Sequence, residues 1–189
     1  LTPDHLALAR TVAQQSIVLL KNENNILPLN KSVRTIALIG PLADNRIDPL
    51  GPWAVVGRPG DVVTVLEGVK QKILPQTKLL FAKGCAISSD SSNDIEQAVQ
   101  AANQADVAVV VLGEDAHMSG EAASRSNLDL PGKQTELLKA IHQTGKPIVL
   151  VLMNGRPLTI PWAAENVNAI VESWFLGVHS GNAIADVLF

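Results

Sequence analysis

The sequence predicts an α/β domain, a three-layer α/β/α sandwich around a mainly parallel sheet of about five to six strands. Three observations lead there. Short β-branched apolar blocks alternate with stretches of helical period, the signature of strands and helices taken in turn. The blocks are continuous, as in Val107–Gly113 (VAVVVLG), rather than apolar/polar alternations, which is how strands read when both faces are covered. The 189 residues are 47% hydrophobic and 17% charged, enough apolar material to close one core over residues 1–189.

Each element follows in order. A first helix starts near Thr2, with the threonine as cap and Pro3 at the first helical position, and runs to about Leu20 with its apolar face on the sheet. Thr35–Gly40 (TIALIG) is a strand, and Thr64–Ile73 a weaker helix, because Gly68 interrupts it and Val63, Thr64 and Val65 favour extended chain. The strand Lys78–Ala82 (KLLFA) precedes a helix over Asp94–Ala105, where Ile95, Ala98, Val99 and Ala102 make an i, i+3, i+4, i+7 stripe. After Val107–Gly113 comes a helix over Gly132–Thr144, with Leu137, Leu138 and Ile141 inward, stopped by Gly145 with Pro147 beyond. Ile148–Met153 and Ala169–Glu172 complete the strands. A last helix over Gly181–Phe189 carries Ala185, Val187, Leu188 and Phe189, and reads as a domain cut short at its carboxyl end.

Composition removes several function classes. A net charge of −3 without a Lys/Arg run gives no footprint for nucleic acid or an anionic membrane. No apolar stretch nears the roughly 20 residues of a spanning helix, and Leu1, Thr2, Pro3 and Asp4 do not form a signal peptide. Cys85 is the single cysteine, so an internal disulfide is impossible; it reads as a small packing residue. His5, His117, His142 and His179 are scattered, with no metal-binding i,i+4 pair, so no metal is expected. The first predicted strand ends Gly40-Pro41-Leu42-Ala43-Asp44, which lacks the later glycines of a dinucleotide fingerprint. Pro41 also removes an amide that a phosphate would use, so no nucleotide cofactor is expected.

Two long loops, Pro41–Val62 and Glu114–Pro131, follow carboxyl ends of strands, where open α/β sheets bind ligands. They are expected to share one rim. Asp44 in the first either binds a sugar hydroxyl or caps its own turn. Trp53, in the Gly/Pro-rich Gly51-Pro52-Trp53-Ala54, either tucks beneath the loop or offers its face to the C–H surface of a sugar ring. Trp162 and Trp174 lie in or beside apolar runs and read as packing residues. The second loop concentrates Glu114, Asp115, His117, Glu121 and Arg125 between the flexible Gly113 and Gly120. A carboxyl group on a mobile loop suits general acid catalysis, where the proton donor must reach a leaving-group oxygen at about 3 Å. The same composition also fits a merely solvated polar loop.

Several motifs resemble the second domain of glycoside hydrolase family 3, and most of all the bacterial β-glucosidases of that family. They are Ser16–Asn22 (SIVLLKN) with Leu27-Pro28-Leu29, Ile39–Asp44 (IGPLAD), Gly113-Glu114 with Ser119–Arg125 (SGEAASR), Leu128–Pro131 (LDLP) with Gln134, and Asn154–Leu158 (NGRPL). They span nearly the whole chain in the family's order. The resemblance implies a fragment of a retaining exo-β-glucosidase that removes terminal β-D-glucosyl residues from a β-glucoside or oligosaccharide without a cofactor. A preceding (β/α)₈-type barrel, absent here, carries the aspartate nucleophile in that family, so this domain alone would be inert. Glu121 matches the family's acid/base position and is preferred over Glu114. Glu114, immediately after the strand, and Arg125 are assigned to holding the loop's shape, and Asp44 and Trp53 to substrate. The full-length protein would be periplasmic or secreted, as such family members often are.

Two other readings remain open at this level. The loops could grip carbohydrate or another domain without chemistry, or the fold could serve flavodoxin-like or receiver-like signalling. Pro41 and the lone Asp44 fit the latter poorly.

Overall fold

A computed structural model describes residues 1–89 and 94–189. Thr2 caps the first helix, α1 (Pro3–Ser16), by accepting from the His5 amide, with Pro3 at the first helical position. The helix is shorter than the sequence predicts. Residues 17 to 20 leave it for an edge strand, β1 (Val18–Asn22), which pairs antiparallel with a later strand. The β-branched Ile17-Val18 pair is a poor continuation of a helix and a good entry to a strand. Nor does α1 lie on the sheet: only Ala13 is buried, and Leu8 and Val12 are exposed. It rests on the last helix instead.

The remaining strands are β2 (Thr35–Ile39), β3 (Lys78–Ala82), β4 (Val107–Gly113), β5 (Ile148–Met153) and β6 (Ala169–Glu172). The helices are α2 (Val65–Lys72), α3 (Ile95–Asn103), α4 (Gln134–His142), the short α5 (Pro161–Asn166), which the sequence reading misses, and α6 (Ser180–Leu188). The sheet runs β1-β6-β5-β4-β2-β3, all parallel except β1. The pleat explains the continuous apolar runs. Ala108, Val110 and Leu112 of β4 join one core with residues of α3, α4 and α5, while Val107, Val109 and Val111 join the other with residues of α2 and α6. Cys85 is buried in the first core, and burial pushes its thiol up to about 11.

Gly68, an interruption to helix propensity, has a packing reason. A Cβ there would lie 2.1 Å from the Gly181 carbonyl oxygen, and one at Gly181 1.9 Å from that of Thr64, so α2 and α6 cross at backbone contact. A capping box between Thr64 and Glu67 offsets the weak propensity of α2. For function, the decisive feature is strand order. The chain runs outward from β2 to β3 and then returns to place β4 on the other side of β2. Such a reversal opens a crevice at the carboxyl ends of β2 and β4, where the two long loops emerge.

Candidate functional site

The loop after β4 is built on a buried ionic cluster. Gln134, fully buried, clamps its base: its side-chain oxygen accepts from the Gly113 amide at 2.7 Å and its nitrogen donates to the Gly113 carbonyl at 2.7 Å. The next residue, Glu114, has no solvent exposure. Its Oε1 accepts from Arg125 at 2.5 Å and pairs with Arg156 Nε at 3.3 Å, and its Oε2 accepts from the Ser119 hydroxyl at 3.1 Å. Glu114 thus holds the loop through side chains. Arg125 also donates to the Asp129 carbonyl at 3.0 Å.

Glu121 lies in the opposite environment. It sits on a tight turn in which the Ala123 amide donates to the Gly120 carbonyl at 3.3 Å. One nitrogen of the Arg156 guanidinium, Nη2, holds that turn by donating to the carbonyls of Met118 and, at 2.8 Å, Ala123. The Glu121 side chain is exposed and, among the described residues, has no hydrogen-bond or ion-pair partner. Arg125 is engaged by Glu114, not Glu121.

The loop after β2 is fastened to the same structure. Buried Asp48 accepts from the Ala116 amide at 2.8 Å through Oδ1 and from Asn45 at 2.6 Å through Oδ2. Pro52 presses on Gly120, where a Cβ would fall 2.9 Å from the proline ring. Trp53 is 67% exposed, so it is not tucked beneath its loop. It lines a groove of about 580 Å³ with His117 and Glu121, and an adjoining one of about 320 Å³ with Asn154, Trp174 and Phe175. Asp44 accepts from the Thr64 hydroxyl at 2.9 Å, which ties the turn after β2 to the start of α2; it lines neither groove. A further groove of about 640 Å³ lies under the far arm of the loop, between Arg125, Asp129 and Trp162, away from Glu121.

Sequence reasoning missed four participants. Trp174, read as packing, belongs to neither core and stands at φ 59° on the groove wall. Arg156 and Asn154 lie within a quoted motif but carry no visible role there. Glu172, 4% exposed, ends β6 and accepts from the Asn154 side chain and the Trp174 amide, each at 3.0 Å. Burial pushes its carboxyl up to about 7 and repulsion from Glu114 adds to the rise, against the lowering by those two bonds. The available signal was positional: a glutamate closing an apolar strand at the sheet's carboxyl edge.

The mostly parallel sandwich projects, at its reversal point, a carboxylate without a partner among the described residues into a groove lined also by an exposed indole, where α/β domains of this kind carry loop-borne ligand sites. The family profile described as the glycosyl hydrolase family 3 C-terminal domain matches residues 17–189. The chain is 45% identical to a periplasmic beta-glucosidase of Salmonella typhimurium, over 98% of this chain and 27% of that protein. It is 42% identical to a beta-xylosidase of Formosa agariphila, over 100% and 27% respectively. A crystal structure of a beta-glucosidase from Listeria innocua in complex with isofagomine superposes with a TM-score of 0.91 at 36% identity, covering 100% of this chain and 25% of that one. The chain belongs to glycoside hydrolase family 3, as its C-terminal domain. It spans about a quarter of the length of these relatives.

Proposed function

We propose that this chain is the acid/base domain of a retaining exo-β-glycosidase that releases terminal β-D-glucosyl residues, with Glu121 as the proton donor. One observation carries the reading: an exposed carboxylate, without a partner among the described residues, on a turn held by Arg156 through the Met118 and Ala123 carbonyls, in a groove that Trp53 also lines. The relatives named as β-glucosidases support the glucosyl preference; a relative named as a β-xylosidase marks the pentosyl alternative. The periplasmic relative supports a periplasmic or secreted location.

In this reading an aspartate on a barrel domain elsewhere in the full-length protein attacks the anomeric carbon while Glu121 protonates the departing oxygen. A glycosyl-enzyme forms, and Glu121 then takes a proton from the water that hydrolyses it. Retention requires the two carboxyl groups to lie about 5 Å apart. Arg125 is paired with Glu114, which leaves Glu121 to face the groove. Trp53 supplies an apolar face to a sugar ring.

The test is Glu121→Ala in the full-length enzyme. Turnover of substrates with poor leaving groups should fall about 10²- to 10⁴-fold, activated aryl glycosides should be affected far less, and azide should restore turnover of the latter as the β-glycosyl azide. Near-normal hydrolysis of a poor leaving group would sink the assignment. The same profile from Glu114→Ala instead would exchange the two roles.

A further inference from the structure

The ends of three neighbouring strands place Glu114, Asn154 and Glu172 side by side beneath the grooves. Asn154 is fully buried, and its nitrogen donates twice, to the Arg156 carbonyl at 2.8 Å and to Glu172 Oε2 at 3.0 Å. Its amide orientation is therefore dictated, since turning it over would set oxygen against oxygen at both partners. The opposite end of the amide, Oδ1, is buried and has no partner among the described residues. The other oxygen of Glu172 accepts from the Trp174 amide and holds a bulky residue at φ 59°, in the left-handed region that side chains disfavour. Ser173 between them is pinned to the Leu152 carbonyl through both its amide, at 2.8 Å, and its hydroxyl, at 2.7 Å.

We propose that Glu172 is a positioning residue for the proton-donating turn. Through Asn154 it fixes the segment from which Arg156 reaches out to clamp the carbonyls on either side of Glu121, and through the Trp174 amide it fixes an indole on the wall of the adjoining groove. No side chain of this relay other than Trp174 needs to touch substrate. Its effect is geometric: misplacing a catalytic group by about 1 Å costs on the order of 10²-fold. The inference rests on Glu121 being the proton donor.

The experiment compares Glu172→Gln and Asn154→Ser in the full-length enzyme on a disaccharide and on 2,4-dinitrophenyl β-glucoside, with active sites counted by a 2-fluoroglycoside inactivator. Glu172→Gln preserves an acceptor for Trp174 but sets an amide nitrogen against Asn154; Asn154→Ser keeps Glu172 and cuts the link to Arg156. For both, kcat/KM per active site on the disaccharide should fall about tenfold or more, while kcat/KM on the activated substrate, which reports glycosyl-enzyme formation and needs no proton donor, changes less than about twofold. Azide should not accelerate either variant, because Glu121 is still present. Equal losses on both substrates, or no loss in either variant, would overturn the positioning role. Absence of azide rescue in Glu121→Ala would instead overturn the reading of Glu121, so the two failures are separable.

Discussion

Glu114 and Glu121 share a loop and have opposite surroundings. The first is enclosed by Arg125, Arg156 and Ser119, and the second is exposed and lines the groove. Removing one member of a buried ionic cluster leaves its partners charged and unpaired, which typically costs 3–5 kcal/mol. Glu114→Gln should therefore destabilise the full-length enzyme by about 3 kcal/mol in denaturant unfolding. It should also lower kcat without azide rescue, because the loop loses its anchor while the proton donor stays in place. Rescue of Glu114→Gln by azide would contradict this division of labour.

At the scale of elements, Asp186 ties three helices together. It sits on α6 and accepts from Arg10 of α1 at 2.7 and 2.8 Å, from Gln14 of α1 at 2.5 Å, and from Lys72 of α2 at 2.8 Å. The Arg10 hydrogen bond, supported by those of Lys72 and Gln14 and opposed by desolvation, holds its carboxyl well below the usual carboxylate range. A depressed carboxyl stabilises the fold fully above its unfolded value and loses that contribution as pH falls towards its folded one. Because both cations are partly exposed, Asp186→Asn should cost only about 1–2 kcal/mol at pH 7. The gap from wild type should close as pH drops below about 4, as read from unfolding midpoints across pH. The strands of this architecture were legible because continuous apolar runs such as Val107–Gly113 have one good solution, burial on both faces. The start of α1 was legible from Thr2 and Pro3, but not its end: the apolar run from Ile17 to Leu20 masks the β-branched break at Ile17-Val18, and pairing with β6 makes Val18 onward a strand. The site divides likewise. The loop bearing Glu121 announces itself by local composition and motif, whereas Asn154, Arg156 and Glu172 gain meaning only when β4, β5 and β6 bring distant residues together.

For the whole molecule, the chain spans about a quarter of its relatives, and on the proposed reading it contributes one of the two carboxyl groups that the reaction needs. The isolated chain is accordingly predicted to show no hydrolysis of aryl β-glucosides above buffer in a continuous absorbance assay; turnover that Glu121→Ala abolished would place a nucleophile within these 189 residues. The hydrogen bond from the Ala116 amide to Asp48 bears on how such enzymes can be recombined. It joins the indole-bearing loop and the carboxylate-bearing loop into one jaw, and Arg156 rivets that jaw to the end of β5. Transplanting only the residues around Glu121 into another family member would separate the Ala116 amide from Asp48 and the Met118 and Ala123 carbonyls from Arg156. Chimaeras that alter specificity should therefore exchange three segments as a set, around Asp48, Glu121 and Arg156, so that the unit of inheritance is the jaw and not the loop.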